Sequence, residues 1–163
     1  MKRKSGFTII EVSLVLAIAG MILLMVFIAL PALQRSSRDT ERREDMMTLI
    51  SEIKKYQSNN RGSLPTESGS TSWDNFYSKY LNDRFTDPSS GEKYSLTTAD
   101  CGKSNANEAC TTSYASASFP NDYKITVVTG GAVCNGESAI KSNNPRRVAV
   151  LYKLELGVYC GNT

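Results

Sequence analysis

Gly6-Phe7-Thr8-Ile9-Ile10-Glu11 leads from a basic start into an uncharged apolar run, Val12 to Leu33. Only Ser13, Gly20 and Pro31 interrupt the apolar side chains of this run, which is 22 residues long. Because roughly 20 apolar residues suffice to cross a bilayer as an α-helix, the run predicts a membrane-spanning helix at the start of the chain.

Three basic residues, Lys2, Arg3 and Lys4, precede the apolar run. By the positive-inside rule they hold the leading end on the cytoplasmic side, so the chain after Leu33 is expected outside. A secretory signal peptide has an apolar region of about 7 to 15 residues and a small-residue cleavage site near its end. Residues 35–38, Arg-Ser-Ser-Arg, offer no such site. We therefore expect the anchor to stay.

Glu11 places one carboxylate at the mouth of the apolar helix, where an acidic side chain is costly and usually marks a functional pairing. The basic leader ends in Gly6, Phe7 follows, and Glu11 is the fifth residue after the glycine. This order resembles the class III signal peptide of type IV pilins and type II secretion pseudopilins. The resemblance is carried by contiguous residues and covers only the N-terminal part of the chain.

The resemblance implies a processing reaction and an assembly contact. A membrane-embedded prepilin peptidase would cut between Gly6 and Phe7 and methylate the new amino group of Phe7. In the family, the carboxylate that matches Glu11 pairs with the terminal ammonium of a neighbouring subunit, which neutralises two charges that are costly in lipid. The alternative is a plain signal anchor, in which Glu11 stays hydrated near the interface or bonds its own Phe7 amine.

Pro31 lies within the predicted helix and removes the backbone hydrogen bond to Phe27, so a kink or loosening is expected there. In related filaments the helical segment between a glycine and a proline melts on assembly. Gly20 and Pro31 bracket the matching stretch of this chain, and Pro31 comes about one helical turn later than in the family. The resemblance therefore implies melting between these two residues.

After the membrane run the helix is expected to continue to Asn60. Residues 35–45 carry charges of both signs, spaced to pair three or four residues apart, and are expected to face water. The apolar side chains that follow recur at steps of three and four, which predicts a helix face buried against the rest of the molecule. These apolar residues are Met46, Leu49, Ile50, Ile53 and Tyr56.

The chain is thus expected to have four segments. Residues 1–6 form a prepilin leader, and residues 7–33 form the transmembrane and assembly helix. Residues 34–60 continue that helix in amphipathic form. Residues 61–163 form a globular head stapled by disulfides.

The head is expected to combine a short helix with a small sheet. The helix is predicted by aromatic residues at roughly helical steps, Trp73, Phe76, Tyr77 and Tyr80. Strands are predicted at 94–97, 123–128, 147–155 and 158–160. In the third, Val148, Val150, Tyr152, Leu154 and Leu156 alternate with Arg147, Lys153 and Glu155, which indicates one buried and one wet face. The fold class is therefore α+β, a long N-terminal helix packed on a small antiparallel sheet, as in type IV pilins.

Residues 87–94, Asp-Pro-Ser-Ser-Gly-Glu-Lys-Tyr, resemble the Asp-Pro, Gly, Tyr element that precedes the sheet in major pseudopilins and several pilins. Physically, a turn set by proline leads through glycine into a strand. The carboxylates Asp83, Asp87 and Glu92 are expected on a solvated surface. In the major pseudopilin a later loop binds calcium, which needs about six or more oxygen ligands. Because residues 135–145 contain Glu137 as their one acid, no calcium site is expected there.

Four cysteines, Cys101, Cys110, Cys134 and Cys160, lie in the exported head, and an even number outside the cytosol indicates disulfides. Three pairings are possible. We favour Cys101 with Cys110 and Cys134 with Cys160, of which the second pair resembles the disulfide that closes the C-terminal loop of many pilins. The alternative is a structural zinc site, but the chain has no close Cys-x-x-Cys pair and no histidine. We expect no metal and no other cofactor.

Charge and composition argue against nucleic-acid binding and catalysis. The formal net charge is +3, and removal of the three basic leader residues leaves 16 basic and 16 acidic residues. Arg42-Arg43 and Arg146-Arg147 are expected to be solvated surface pairs. The absence of histidine removes the commonest general base, and no glycine-rich phosphate loop follows a strand. No catalytic residue is therefore expected, and nucleotide hydrolysis is assigned to a separate motor ATPase.

The sequence favours a structural subunit of a type IV pilus, polymerised through its N-terminal helix into a surface filament for motility, adhesion or DNA uptake. The alternatives are a pseudopilin of a type II secretion system and a membrane-anchored adhesion or binding module that never polymerises. The expected partners are further copies of the chain, the membrane, the prepilin peptidase, an assembly platform and the motor. The expected location is the inner or cytoplasmic membrane before assembly and the cell surface afterwards.

The first testable prediction concerns processing. Gly6→Val replaces the small residue at the cut with a β-branched one, so the variant should stay in the membrane as an uncut precursor. Mass spectrometry of the wild-type chain should find a mature protein that begins at a methylated Phe7. A wild-type chain that begins at any other residue contradicts the assignment of the leader.

Overall fold

The computed structural model describes residues 6–66, 69, 72–81, 85–101, 110 and 123–163. Its elements in chain order are α1 (Ile9–Asn59), α2 (Trp73–Tyr80), β1 (Ser95–Asp100), β2 (Lys124–Thr129), β3 (Ala132–Asn135), β4 (Ser138–Lys141), β5 (Ala149–Leu154) and β6 (Gly157–Asn162). The chain divides into two compact units, Met1–Ser37 and Arg38–Thr163. A long N-terminal helix and a small sheet make the fold α+β and pilin-like, as the sequence predicts.

The first unit consists of the apolar part of α1. Every described residue up to Ser37 is exposed, and the most apolar window has a mean hydropathy of 2.9 with none of it buried. By length and composition this helix can cross a membrane. The helix continues through Pro31. It begins at Ile9, two residues later than the sequence predicts, because Thr8 caps it.

The second unit, the head, packs the later part of α1 against the sheet and α2. The predicted buried face of α1 is confirmed: Met46, Leu49, Ile50, Ile53 and Tyr56 are all buried. The predicted short helix α2 is also confirmed. It packs against this face of α1 through edge-to-face aromatic contacts, such as that of Tyr56 with Phe76 at 5.6 Å between ring centroids. Ser72 caps α2 by accepting a hydrogen bond from the amide of Asn75.

The main sheet has four strands in the order β1-β2-β5-β6. The β2–β5 and β5–β6 pairs are antiparallel, as predicted. The β1–β2 pair is parallel, with Ser95 opposite Lys124, which differs from the predicted direction. The reason is the connection, residues 101–123, which has the length of a crossover instead of a hairpin turn.

A second, two-stranded sheet pairs β3 with β4 in a region where no strand is predicted from the sequence. Its turn is Gly136-Glu137, with Gly136 at a φ of 62°, which favours glycine. This hairpin forms part of a second buried cluster with Ala149, Leu151 and the cysteines. The third predicted strand, residues 147–155, corresponds to β5. The prediction that one of its faces is exposed to water is therefore wrong at Ala149 and Leu151, which are both fully buried.

The predicted alternation in β5 holds on its other side up to the strand end. Val148, Val150, Tyr152 and Leu154 are buried against α1 and α2. Leu156 was assigned to the same face but is 68% exposed. The strand ends at Leu154, and Leu156 lies in the turn that leads to β6, so the two-residue period no longer applies.

Candidate assembly site

The N-terminus of α1 is closed by a reciprocal cap between Thr8 and Glu11. The Thr8 amide and hydroxyl donate to Oε2 of Glu11 at 2.9 and 2.8 Å, and the Glu11 amide donates to Oγ1 of Thr8 at 3.4 Å. This is a capping box, in which the acid at the third helical position satisfies the amide of the cap residue. The sequence analysis missed it, although the Thr-x-x-Glu spacing is readable at residues 8–11.

The cap leaves part of the Glu11 carboxylate available. Both hydrogen bonds from Thr8 go to Oε2, and no described residue donates to Oε1. The carboxylate also lies at the positive end of the helix dipole, which favours its charged form. Glu11 can therefore hold its own helix end and accept a further cationic donor at the same time.

The surroundings of Glu11 are apolar and uncovered. Phe7 and Ile9 are each 90% exposed and Ile10 is 77% exposed. An apolar surface of this extent is stable only in lipid or against other protein. The predicted assembly residues Phe7 and Glu11 thus lie close together and are accessible. Gly6, Gly20 and Pro31 are also exposed.

The head contains a buried ionic network centred on Arg42, which is 1% exposed. Its guanidinium donates to both oxygens of Asp87, with Nε to Oδ2 at 2.7 Å and Nη2 to Oδ1 at 3.2 Å. Nη1 donates to Asp39 Oδ1 and to Glu155 Oε1, each at 3.0 Å. Arg42 therefore joins α1 to the 87–89 turn and to the β5–β6 turn.

The carboxylate of Asp87 is completely buried and is surrounded by donors. Besides Arg42 it accepts hydrogen bonds from the Tyr152 hydroxyl at 3.1 Å and the Ser89 amide at 2.9 Å. The Ser89 hydroxyl also donates to it. Four groups from three segments thus compensate the loss of water around one charge.

Asp39 and Arg38 complete the network at the β5–β6 turn. Asp39 accepts from the backbone amides of Glu155 and Leu156 at 3.0 and 3.1 Å. Arg38 donates twice to Glu155, at 2.7 and 3.0 Å. The start of the head's helix is therefore fastened to this turn by both charge and backbone hydrogen bonds.

The network shifts the pKa values of Asp87, Arg42 and Glu155 toward their charged forms. Burial by itself would raise the pKa of Asp87, but hydrogen bonds from Arg42 and Ser89 outweigh it and lower the pKa from 3.8 to about 2. Burial would lower the pKa of Arg42, but the hydrogen bond to Asp87 raises it overall. The hydrogen bond from Arg38 lowers the pKa of Glu155.

The sequence analysis was wrong about these charges. It placed residues 35–45 and the Arg42-Arg43 pair in water, yet Asp39 and Arg42 are buried. It also placed Asp87 on a solvated surface, whereas Glu92 is exposed as expected; Asp83 lies outside the described residues. The sequence does contain a signal for the burial of Asp39 and Arg42. Both continue the steps of three and four that mark the buried face of α1 at positions 46, 49, 53 and 56.

Both favoured disulfides are present: Cys101 pairs with Cys110, and Cys134 pairs with Cys160. They lie at the second buried cluster, where they hold the ends of β1, β3 and β6. In the 135–145 region, Glu137 accepts a hydrogen bond from the Val158 amide at 3.3 Å. Among the described residues, no group of cysteines and acids is arranged to hold a metal ion.

Comparison with known proteins adds one match. Residues 1–27 match the family model described as the prokaryotic N-terminal methylation motif. No curated protein and no solved structure matches the chain. The chain therefore carries a class III signal peptide of the kind found in type IV pilins and pseudopilins, and residues 28–163 lie outside this match.

The second testable prediction concerns the buried network. Arg42→Met leaves the Asp87 carboxylate buried without its main partner, which should lower the free energy of unfolding of the head by about 3–5 kcal/mol. The matched control is Arg43→Met, because Arg43 is adjacent and exposed and should change it by about 0.5 kcal/mol or less. Denaturant unfolding of the full chain in detergent measures both. Equal losses in the two variants would contradict the role of Arg42.

The same network sets how stability depends on pH. The pKa of Asp87 is lower in the folded chain, about 2, than its ordinary value of 3.8. Its contribution to stability is therefore complete above the ordinary value and is lost as the pH falls from about 4 to about 2. Unfolding midpoints of the wild type should drop over this range, and Asp87→Asn should show a smaller drop from a lower starting point.

Proposed function

We propose that this chain, whose first 27 residues carry a prepilin-type methylation motif, is the structural subunit of a type IV pilus. It would polymerise through α1 into a surface filament that serves motility, adhesion or DNA uptake. The observation that carries this proposal is an uncovered apolar helix with a single acid, Glu11, at its start. Attached to it is a head whose buried charges and whose four cysteines are internally paired.

The proposed assembly exchanges lipid for neighbouring helices. Before assembly the apolar part of α1 anchors the subunit in the inner or cytoplasmic membrane as a single-pass protein. Cleavage after Gly6 would create a cationic amine on Phe7, and Glu11 of a neighbour has an oxygen free to accept it. Pairing removes two charges from an apolar core at once. The peptidase, the assembly platform and the motor ATPase are the separate partners this requires.

The head is proposed to act as a folded body outside the membrane, with no catalytic role. Two disulfides close its loops, each worth about 3 kcal/mol in the chain-entropy account. These bonds suit a domain that works where no chaperone repairs it. Melting of α1 between Gly20 and Pro31 in the filament is part of the same proposal.

A type II secretion pseudopilin is the second candidate function. It is supported by the resemblance of the Asp-Pro, Gly, Tyr element at residues 87–94 to that of major pseudopilins, which several pilins share, and Asp87 of this element anchors the buried network. Both candidates use the same membrane helix and the same processing. The two candidates are separated by deleting either the retraction motor or the secretion components in the producing cell. Filament retraction depends on the motor, and exoprotein release depends on the secretion components.

The fourth testable prediction separates the two possible roles of Glu11. Glu11→Ala removes both the cap of Thr8 and the charge, whereas Glu11→Gln keeps an acceptor for the cap and removes only the charge. If Glu11 pairs with the Phe7 amine of a neighbour, both variants should insert, fold and accumulate as monomer while sheared filament falls strongly. Immunoblots of the sheared and membrane fractions measure this.

Ser13→Ala is the matched control, because Ser13 also lies in the first turns of α1, and the Ile10 carbonyl in the same helix is the one hydrogen-bond partner of its hydroxyl among the described residues. It should assemble like the wild type. Wild-type filament yield in Glu11→Gln would reduce Glu11 to a helix cap. Wild-type filament yield in both Glu11 variants would favour the alternative in which the N-terminal segment is a plain signal anchor.

A further inference from the structure

An open cleft of about 700 Å³ lies in the head at the end of α1. It is lined by Lys54, Gln57, Ser58, Arg61, Gly62 and Arg146. Three of these side chains are cationic and none is acidic, and all three cations are exposed. No described acidic residue forms an ion pair with them, in contrast to the neighbouring Lys55, which pairs with Glu52 at 3.2 Å.

The walls of the cleft are held in place by hydrogen bonds and close packing. The Gly62 amide donates to the Gln57 carbonyl at 2.7 Å, and Gln57 Nε2 donates to the Arg146 carbonyl at 2.8 Å. The Arg146 guanidinium lies over Gly62, where a Cβ would come within 3.2 Å of its Cζ. The position of Arg146 in the cleft is thus set by the fold of the head.

Arg61 occupies an unfavourable backbone conformation. Its φ is 55°, and it is the one non-glycine residue with a positive φ in the part of the chain that the structure describes. A non-glycine residue in this region costs about 1–2 kcal/mol, and helices commonly end in glycine there. Such an outlier at the wall of a charged cleft points to a use for its side chain.

A complementary surface lies nearer the start of the head's helical segment. Glu41 and Glu44 are exposed, and neither has an ion-pair partner among the described residues. Asp45 beside them is partly buried, and its pKa is raised by burial first and then by the charges of Glu41 and Glu44. Arg43, between them in sequence, is exposed and forms no ion pair with either glutamate among the described residues. The Glu41–Glu44 face is therefore a local concentration of negative charge.

We infer that the cleft binds the Glu41–Glu44 face of a second copy of this chain, an inference that rests on the proposed filament function. The basic leader gives every copy the same orientation in the membrane, so copies meet in parallel and join two different surfaces. Such heterologous contacts repeat without closing and build a filament. Glu44 and Lys54 are ten residues apart on α1, which places the two surfaces about 15 Å apart along the helix axis.

The competing account is local: cations near a helix C-terminus stabilise its dipole. That account needs no partner and predicts that charge reversal acts on the stability of the head alone. The two accounts differ in whether a compensating change on the opposite surface restores assembly.

The fifth testable prediction is a charge swap in the full chain. The variant Lys54→Glu/Arg61→Glu and the variant Glu41→Lys/Glu44→Lys should each lower the yield of sheared filament by about tenfold, because two exposed attractions become repulsions. The chain that carries all four changes should recover wild-type yield. The control Lys55→Glu/Lys79→Glu has the same change in net charge outside the cleft and should assemble normally.

The outcomes distinguish this inference from the function on which it rests. If the wild type forms no filament, the proposed function fails. If the wild type assembles and both reversals assemble equally well, only the inference fails. If both reversals lower the yield but the fourfold variant does not recover, while all heads keep their wild-type thermal transition and disulfides, the Glu41–Glu44 face of a second copy is not the occupant of the cleft and the inference fails.

Discussion

The guanidinium of Arg42 and the carboxylate of Asp87 are both buried, and neither can lose the other without leaving an uncompensated charge in the core. An apolar pair of the same volume could stabilise the head equally well, so the value of the ion pair lies in specificity. Arg42 must meet Asp87 and Glu155 together, and Asp39 must meet the amides of the same turn. These conditions are satisfied in one register of α1 on the sheet, and we interpret the network as the device that fixes this register.

The sequence predicts the elements whose pattern is local and misses the contacts between distant segments. Steps of three and four from Met46 to Tyr56 identify the buried face of α1, and the aromatic steps identify α2. The same steps pass through Asp39 and Arg42, whose charged side chains nevertheless predict exposure to water. The sequence does not reveal their burial because the partners that compensate it lie 45 to 117 positions away. The parallel β1–β2 pair and the β3–β4 hairpin were missed because strands of four to six residues carry little signal of direction or partner.

The candidate assembly site was predictable in its residues and not in its geometry. Phe7 and Glu11 stand out by sequence alone, whereas the double role of Glu11 needs the observation that Thr8 occupies only Oε2. The cationic cleft needs Arg146, which the fold brings to Gln57 across 89 positions. Charge is thus used in three ways: one acid in an apolar helix, a closed buried network in the head, and open complementary patches on its surface.

Assembly, as proposed, depends on Glu11 of one copy neutralising the processed N-terminus of another. A cryo-EM reconstruction of sheared filaments from wild-type cells tests this most directly. We predict a mature chain that begins at Phe7, with its amino nitrogen about 3 Å from a Glu11 carboxylate oxygen of a neighbouring subunit. A filament in which Glu11 contacts only Thr8 of its own chain, with the Phe7 amine elsewhere, would contradict the claim.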